Sequence, residues 1–105
     1  MQINFFGHCN EGSHDKVWGF VTGSDGTLYN FWGKRGGTFA FQQHPATDWQ
    51  DANYLHKKSR EKCREGRRSG TYSSIPVAEI ETVWPGFHDE FDIQIVMAKL
   101  GENFR

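Results

Sequence analysis

At 105 residues and 12.1 kDa the chain has room for one domain and no second independent core. Its apolar fraction of 36% is low beside an aromatic fraction of 15%, which predicts a core of a few large rings, and sixteen rings are more than such a core needs, so some are expected on display. A net charge of −1 excludes coating nucleic acid or membrane by bulk electrostatics, yet Lys57 to Arg68 holds seven cations against two acids, a local +5 on a body of −6.

Taken in order, Gln2 to Cys9 reads as a strand, with Ile3 and Phe5 on one side and Asn4 and Phe6 on the other, and Asn10 to Ser13 as a turn. Lys16 to Thr22 is a second strand, placing Val17, Gly19 and Val21 on one face and Trp18, Phe20 and Thr22 on the other. Gly23 to Gly26 is a turn signal that should fold this strand back onto Thr27 to Lys34 as an antiparallel hairpin. There Tyr29 and Phe31 share one face and Leu28, Asn30 and Trp32 the other. Gly33, Gly36 and Gly37 then permit a bulge or tight turn before a fourth strand, Thr38 to Gln42.

His44-Pro45-Ala46 closes the sheet, and Thr47 to Gln50 fits a capping box at a helix start. Ala52, Leu55, His56, Ser59 and Cys63 recur at helical spacing as the stripe that packs on the sheet, and Gly66 is the expected stop. Arg67 to Ser74 reads as a polar loop. A short helix opened by Pro76 follows, with Val77, Ile80 and Trp84 on one side, and then a Trp84-Pro85-Gly86 turn. The last segment fits both periods over Phe91 to Leu100; Asp89 as cap and Gly101 as end favour helix. The expected fold is α+β: an antiparallel four-stranded meander covered by one main helix, formed by residues 1–74, with a C-terminal helical extension, residues 75–105, packed on the same core.

Three groups of residues carry functional meaning. In Trp32-Gly33-Lys34-Arg35-Gly36 an exposed indole could stack on a base or sugar while the cations hold flanking phosphates; alternatively Trp32 plugs an edge of the core and the cations are solvated. Lys57, Lys58, Lys62, Arg64, Arg67 and Arg68 could line a phosphate backbone, or form an ordinary solvated face neutralised in part by Glu61 and Glu65. Trp84, Phe87 and Phe91, beside the acids of the tail, could form a surface for a protein partner.

An aromatic hairpin, then Trp-Gly-cation-x-Gly, a strand, and a Lys-rich helix running to Gly66 and Gly70-Thr71-Tyr72: over Phe5 to Tyr72 this order resembles the WGR domain, named for its Trp-Gly-Arg signature. The resemblance implies an antiparallel sheet with a crossing helix and, as in the DNA-dependent poly(ADP-ribose) polymerases, contact between the Trp and Arg and a DNA sugar-phosphate end. Trp32 and Gly33 match the family Trp and Gly, Lys34 stands where the Arg does, Gly36 matches the next Gly, Lys58 and Lys62 the helix lysines and Tyr72 the closing Tyr. Lys34 departs from the signature, because a point-charge ammonium does not reproduce the planar fork of Arg.

The histidines and the two cysteines show no ligand spacing and no C-x-x-C, so no metal site or disulfide is expected; no cofactor is expected either. No nucleophile-base pair or phosphate loop accompanies the tail acids, so no enzyme is expected. Without a secretory leader or an apolar run near the roughly 18 residues of a membrane span, an intracellular location is expected. The expectation is a non-catalytic nucleic-acid binder, DNA rather than RNA, acting through Trp32, Gly33, Lys34, Arg35 and the Lys57 to Arg68 surface; the alternative is a protein-interaction module or regulator acting through Trp84, Phe87 or Phe91.

Overall fold

The computed structural model describes residues 1–24, 26–44 and 49–103. Pro45 to Asp48, including the Thr47 expected to cap the helix, and Asp25 of the second turn lie outside the described residues. The chain is α+β with a five-stranded antiparallel sheet: β1 (Gln2–Glu11), β2 (His14–Thr22), β3 (Leu28–Lys34), β4 (Ala40–His44) and β5 (Ser73–Ser74), in spatial order β4-β3-β2-β1-β5. The first four are the expected meander. The sequence predicts loop at the fifth, because two serines carry no apolar alternation; Gly7 and His8 pair with Ser74 and Ser73 and so occupy part of the free edge of β1.

Helices flank the strands: α1 (Trp49–Lys62), a 3-10 turn (Val77–Glu79), α2 (Ile80–Val83) and α3 (Phe87–Asn103). Strand β1 runs two residues beyond its expected end, so the first hairpin closes on Gly12 and Ser13 alone, with Glu11 opposite His14. Helix α1 ends at Lys62, four residues before Gly66, and α3 passes through Gly101.

Period-two alternation in β2 decides how the layers are divided. Val17 and Val21 face one core with Tyr29 and Phe31 of β3; Trp18 and Phe20 face another. A bulge between Ile3 and Phe5 shifts the register of β1, so Ile3 joins Phe6 on the first face and Phe5 joins Cys9 on the second, whereas simple alternation put Ile3 with Phe5. Gly19, opposite Phe31, leaves room for that ring: a Cβ there would lie 2.3 Å from the Phe5 carbonyl and 2.7 Å from Phe31 Cζ.

The two faces are covered by different parts of the chain. Leu55 of α1 and Tyr72 pack with Cys9, Trp18 and Phe20 on the second face. The described apolar side chains between Ile75 and Ile95 do not add to that core. They build the larger one on the first face, where Ile80, Trp84, Phe87 and Phe91 meet Phe6, Phe31 and Phe39. It is a core of rings, as the composition predicts: Phe39 and Trp84 centroids are 4.6 Å apart, Phe6 and Phe87 4.9 Å, Phe31 and Phe87 5.3 Å. Each such contact is worth on the order of 0.5–1.5 kcal/mol beyond the area it buries.

The inward positions Phe87, Phe91 and Ile95 repeat every four residues, while Ile93 is exposed, so the apparent strand alternation of Phe91, Ile93 and Ile95 is broken in the fold. Gln94 accepts the Phe39 N–H at 2.8 Å and ties α3 to the segment entering β4. Val77, expected on the buried side with Ile80 and Trp84, is exposed. No helix among the described residues is long and apolar enough to cross a membrane.

Candidate functional site

Strands β2 and β3 pair so that Lys16 lies opposite Lys34, Trp18 opposite Trp32 and Phe20 opposite Asn30. Helix α1 and Tyr72 cover the inner part of this row, burying Trp18 and Phe20, with the His56 ring edge-on to Phe20 at 5.0 Å. Beyond the end of that cover Trp32 is left 39% exposed, whereas Trp18 is 6% and Trp84 5% exposed. The indole is therefore displayed on the face that α1 covers. Tyr54, on α1, is also exposed.

Trp32 borders an open cavity of about 530 Å³. Its described lining is Lys16, Val17, Trp18, Asn30, Trp32, Gly33, Lys34, Lys62 and Tyr72, with three lysines and no carboxylate. Gly33 takes φ +153°, and a Cβ there would stand 3.2 Å from the Thr38 carbonyl, so the chain can pass beside Trp32 in this form only without a side chain. Asn30 donates to the Gly19 carbonyl at 2.8 Å, satisfying the polar group on the cavity floor.

Lys62 crosses from the last turn of α1 to place its Nζ 5.5 Å from the ring centroids of both Trp18 and Tyr72, while Lys16 Nζ is 5.8 Å from Tyr72. Each cation-ring contact contributes roughly 0.5–1 kcal/mol in such half-exposed settings. Burial holds the Lys62 ammonium below its usual pKa, and the neighbouring Arg67, Lys16 and Lys58 push it further the same way. Burial raises the Tyr72 phenol, so it stays a neutral donor beside the cations. Lys16 and Lys34 opposite one another cost roughly 0.2–1 kcal/mol as a like-charge cross-strand pair. These are the conditions under which an anion is attracted: clustered ammonium groups, partly dry, with no acid among them.

The structure corrects several sequence expectations. Arg35 is not in the cavity. Its Nε and Nη2 donate to Asp15 at 3.0 and 2.7 Å, and its Nη1 donates to the Val83 carbonyl at 3.3 Å, so the guanidinium is tied toward α2. Arg35 is the first residue beyond β3, in the turn, where its N–H also donates to the Asp15 carbonyl at 3.1 Å. Hydrogen bonds from Arg35, then from His8 (Nε2 to Oδ1, 2.7 Å), hold the Asp15 carboxyl down at about 2.

Of the basic segment, Lys62 lines the cavity and Arg67 acts on it electrostatically. Lys57, Lys58, Arg64 and Arg68 lie outside the lining; Lys58 is 3.6 Å from Glu61 and stands over Tyr54 at 5.7 Å. Trp84, Phe87 and Phe91 are buried, because their side of α2 and α3 closes the ring core, so they cannot offer a surface to a partner. Lys16, by contrast, is in sequence only the first residue of an ordinary strand; its spacing from Trp18 is the one linear signal, and its place opposite Lys34 comes from strand register.

Among the described residues no group of three His, Cys, Asp or Glu side chains comes together as a metal ion would need. Cys9 and Cys63 are free thiols, and burial raises that of Cys63. The chain matches no protein-family model, no curated protein and no solved structure.

Proposed function

We propose that this is a non-catalytic nucleic-acid-binding domain of WGR-like type, which holds a sugar-phosphate backbone in the cavity formed by Lys16, Trp32, Lys34 and Lys62. One observation carries the reading: the exposed indole and three lysines without an acid line the same cavity. A base or sugar stacked on Trp32 would contribute on the order of 1–3 kcal/mol, and each ammonium would release a counterion from a contacted phosphate. Arg67, beside Lys62, extends the field, and Lys57, Arg64 and Arg68 add to it at longer range.

Lys34 in place of the signature Arg supplies charge without a bidentate fork, so the reading is phosphate contact along DNA without the geometric selection an Arg would add. The WGR likeness favours DNA over RNA, and an intracellular setting goes with it. Fluorescence anisotropy with labelled single-stranded and duplex DNA and duplex RNA, each titrated across a salt series, tests this reading. The expected result is binding whose affinity falls steeply with salt and is strongest for DNA. No salt-sensitive binding to any of the three at low ionic strength would overturn it.

A further inference from the structure

Helix α1 carries a second exposed ring on the flank that leads to the Trp32 cavity. Asp51, Tyr54, Lys58 and Lys62 fall at i, i+3, i+7 and i+11, so they lie within about 80° of one another around the helix. Contacts at both ends fix where this flank faces. Asp51, at its start, meets His44 of β4 (Nδ1 to Oδ2, 3.0 Å), and Lys62, at its end, lines the cavity with Trp32, Lys16 and Lys34. Between them stands Tyr54, 54% exposed, with Lys58 Nζ 5.7 Å from its ring centroid. Lys58 in turn is near enough to Lys62 for its charge to lower the pKa of that ammonium. The order along the flank is therefore an open indole, two ammonium groups and an open phenol ring.

We propose that this row is a track for an unpaired stretch of DNA, with one base stacked on Trp32, another on Tyr54, and the backbone between them held by Lys62 and Lys58. The proposal rests on the nucleic-acid reading and names the form of DNA that the site takes. Within a duplex each base face is covered by its neighbours, so an exposed ring gains a stacking partner only where bases are unpaired. The spacing fits as well. The eight residues from Tyr54 to Lys62 rise about 12 Å along the helix axis, and a stacked strand rises about 3.4 Å per nucleotide, so about three to four nucleotides span the row.

The acids beside the row do not close it. Asp51 is held by His44, and Glu61, 3.6 Å from Lys58, forms an exposed pair too weak to withhold that ammonium from a phosphate. Stacking also gives the track a signature that charge alone lacks. A merely basic surface favours duplex, which carries twice the phosphates in the same length, whereas the two rings favour the single strand.

Fluorescence anisotropy at one low salt concentration, with a labelled oligothymidylate of about twelve nucleotides and a duplex of the same length, tests the track. The expected result is that the single strand binds about tenfold or more tighter than the duplex, and that Tyr54→Ala weakens single-strand binding about fivefold or more without changing duplex binding. Tyr54→Phe keeps the stacking ring and should keep the native affinity. Tyr54 is exposed, so the Tm of both variants should stay near that of the native chain. Duplex bound as tightly as the single strand, Tyr54→Ala that leaves single-strand affinity unchanged or weakens both DNAs equally, or a Tyr54→Phe variant as weak as Tyr54→Ala would each overturn the track, while salt-sensitive binding of both DNAs would leave the nucleic-acid reading standing. No salt-sensitive binding to either DNA would overturn both.

Discussion

Changing Lys16, Lys34 and Lys62 together to Gln separates a phosphate-binding cavity from a merely basic helix. Each phosphate neutralised on duplex DNA contributes about 0.9 to the slope of log affinity against log salt, so three contacts contribute roughly 2.7. Between about 50 and 200 mM salt those three contacts then account for a loss of roughly 40-fold, and the triple variant should lack that part of the dependence. Lys57, Arg64 and Arg68, also three cations but outside the lining, provide the matched comparison; changing them to Gln should lower the slope by less than about 1.

Loss of the cavity lysines should not unfold the chain. The cation-ring contacts of Lys62 and Lys16 are lost, roughly 1.5–3 kcal/mol together, and relief of the Lys16 to Lys34 repulsion across the strands returns roughly 0.2–1 kcal/mol, a net loss smaller than the stability of an ordinary domain. Anisotropy titrations at four or five salt concentrations, with Tm measured alongside, give both numbers. A comparison set that lowers the slope as much as the cavity set, or a cavity set that leaves it unchanged, would refute the reasoning.

Phe87→Ala removes a ring in contact with Phe6, Phe31, Phe39 and Trp84 and should cost about 3–5 kcal/mol in urea unfolding, whereas Ile93→Ala on the outer side of the same helix should stay within about 0.5 kcal/mol. Gly19→Ala forces a methyl against the Phe5 carbonyl and the Phe31 ring and should lower stability by about 1–3 kcal/mol, measured in the same way. The depressed Asp15 carboxyl stabilises the fold above its ordinary pKa of 3.8, and that contribution disappears as pH falls through about 2. Because Asp15 is well exposed, solvent screening leaves roughly 1 kcal/mol or less, so the stability gap between the native chain and Arg35→Met should be small at neutral pH and close over that acid window.

Much of the sheet was legible because β2 and β3 alternate cleanly and the turn between them is rich in glycine. The same alternation misled in β1, where one bulged residue moves Ile3 to the other face without any mark in composition. Strand β5 is two serines whose pairing comes from the neighbouring edge and not from their own pattern. In the C-terminal segment two apolar stripes share one helix, and period alone cannot say which is inside; the sheet face lined by Val17, Val21 and Phe31 takes Phe87 and Phe91 and leaves Met97 out.

At the site, Trp32, Lys34 and Lys62 could be picked out by residue type and spacing. The fate of Arg35 depended on Asp15, twenty residues away, and the role of Lys16 on strand register, neither of which a linear pattern encodes.

The central claim is that Trp32 and the surrounding lysines form one anion-binding platform, and the indole N–H resonances test it most directly. In a titration of ¹⁵N-labelled protein with a short DNA oligonucleotide at low ionic strength, the Trp32 indole signal should shift progressively, the buried Trp84 signal should stay fixed, and added salt should reverse the change. A Trp32 signal that stays in place while DNA is bound, or the absence of any shift in the spectrum, would contradict it.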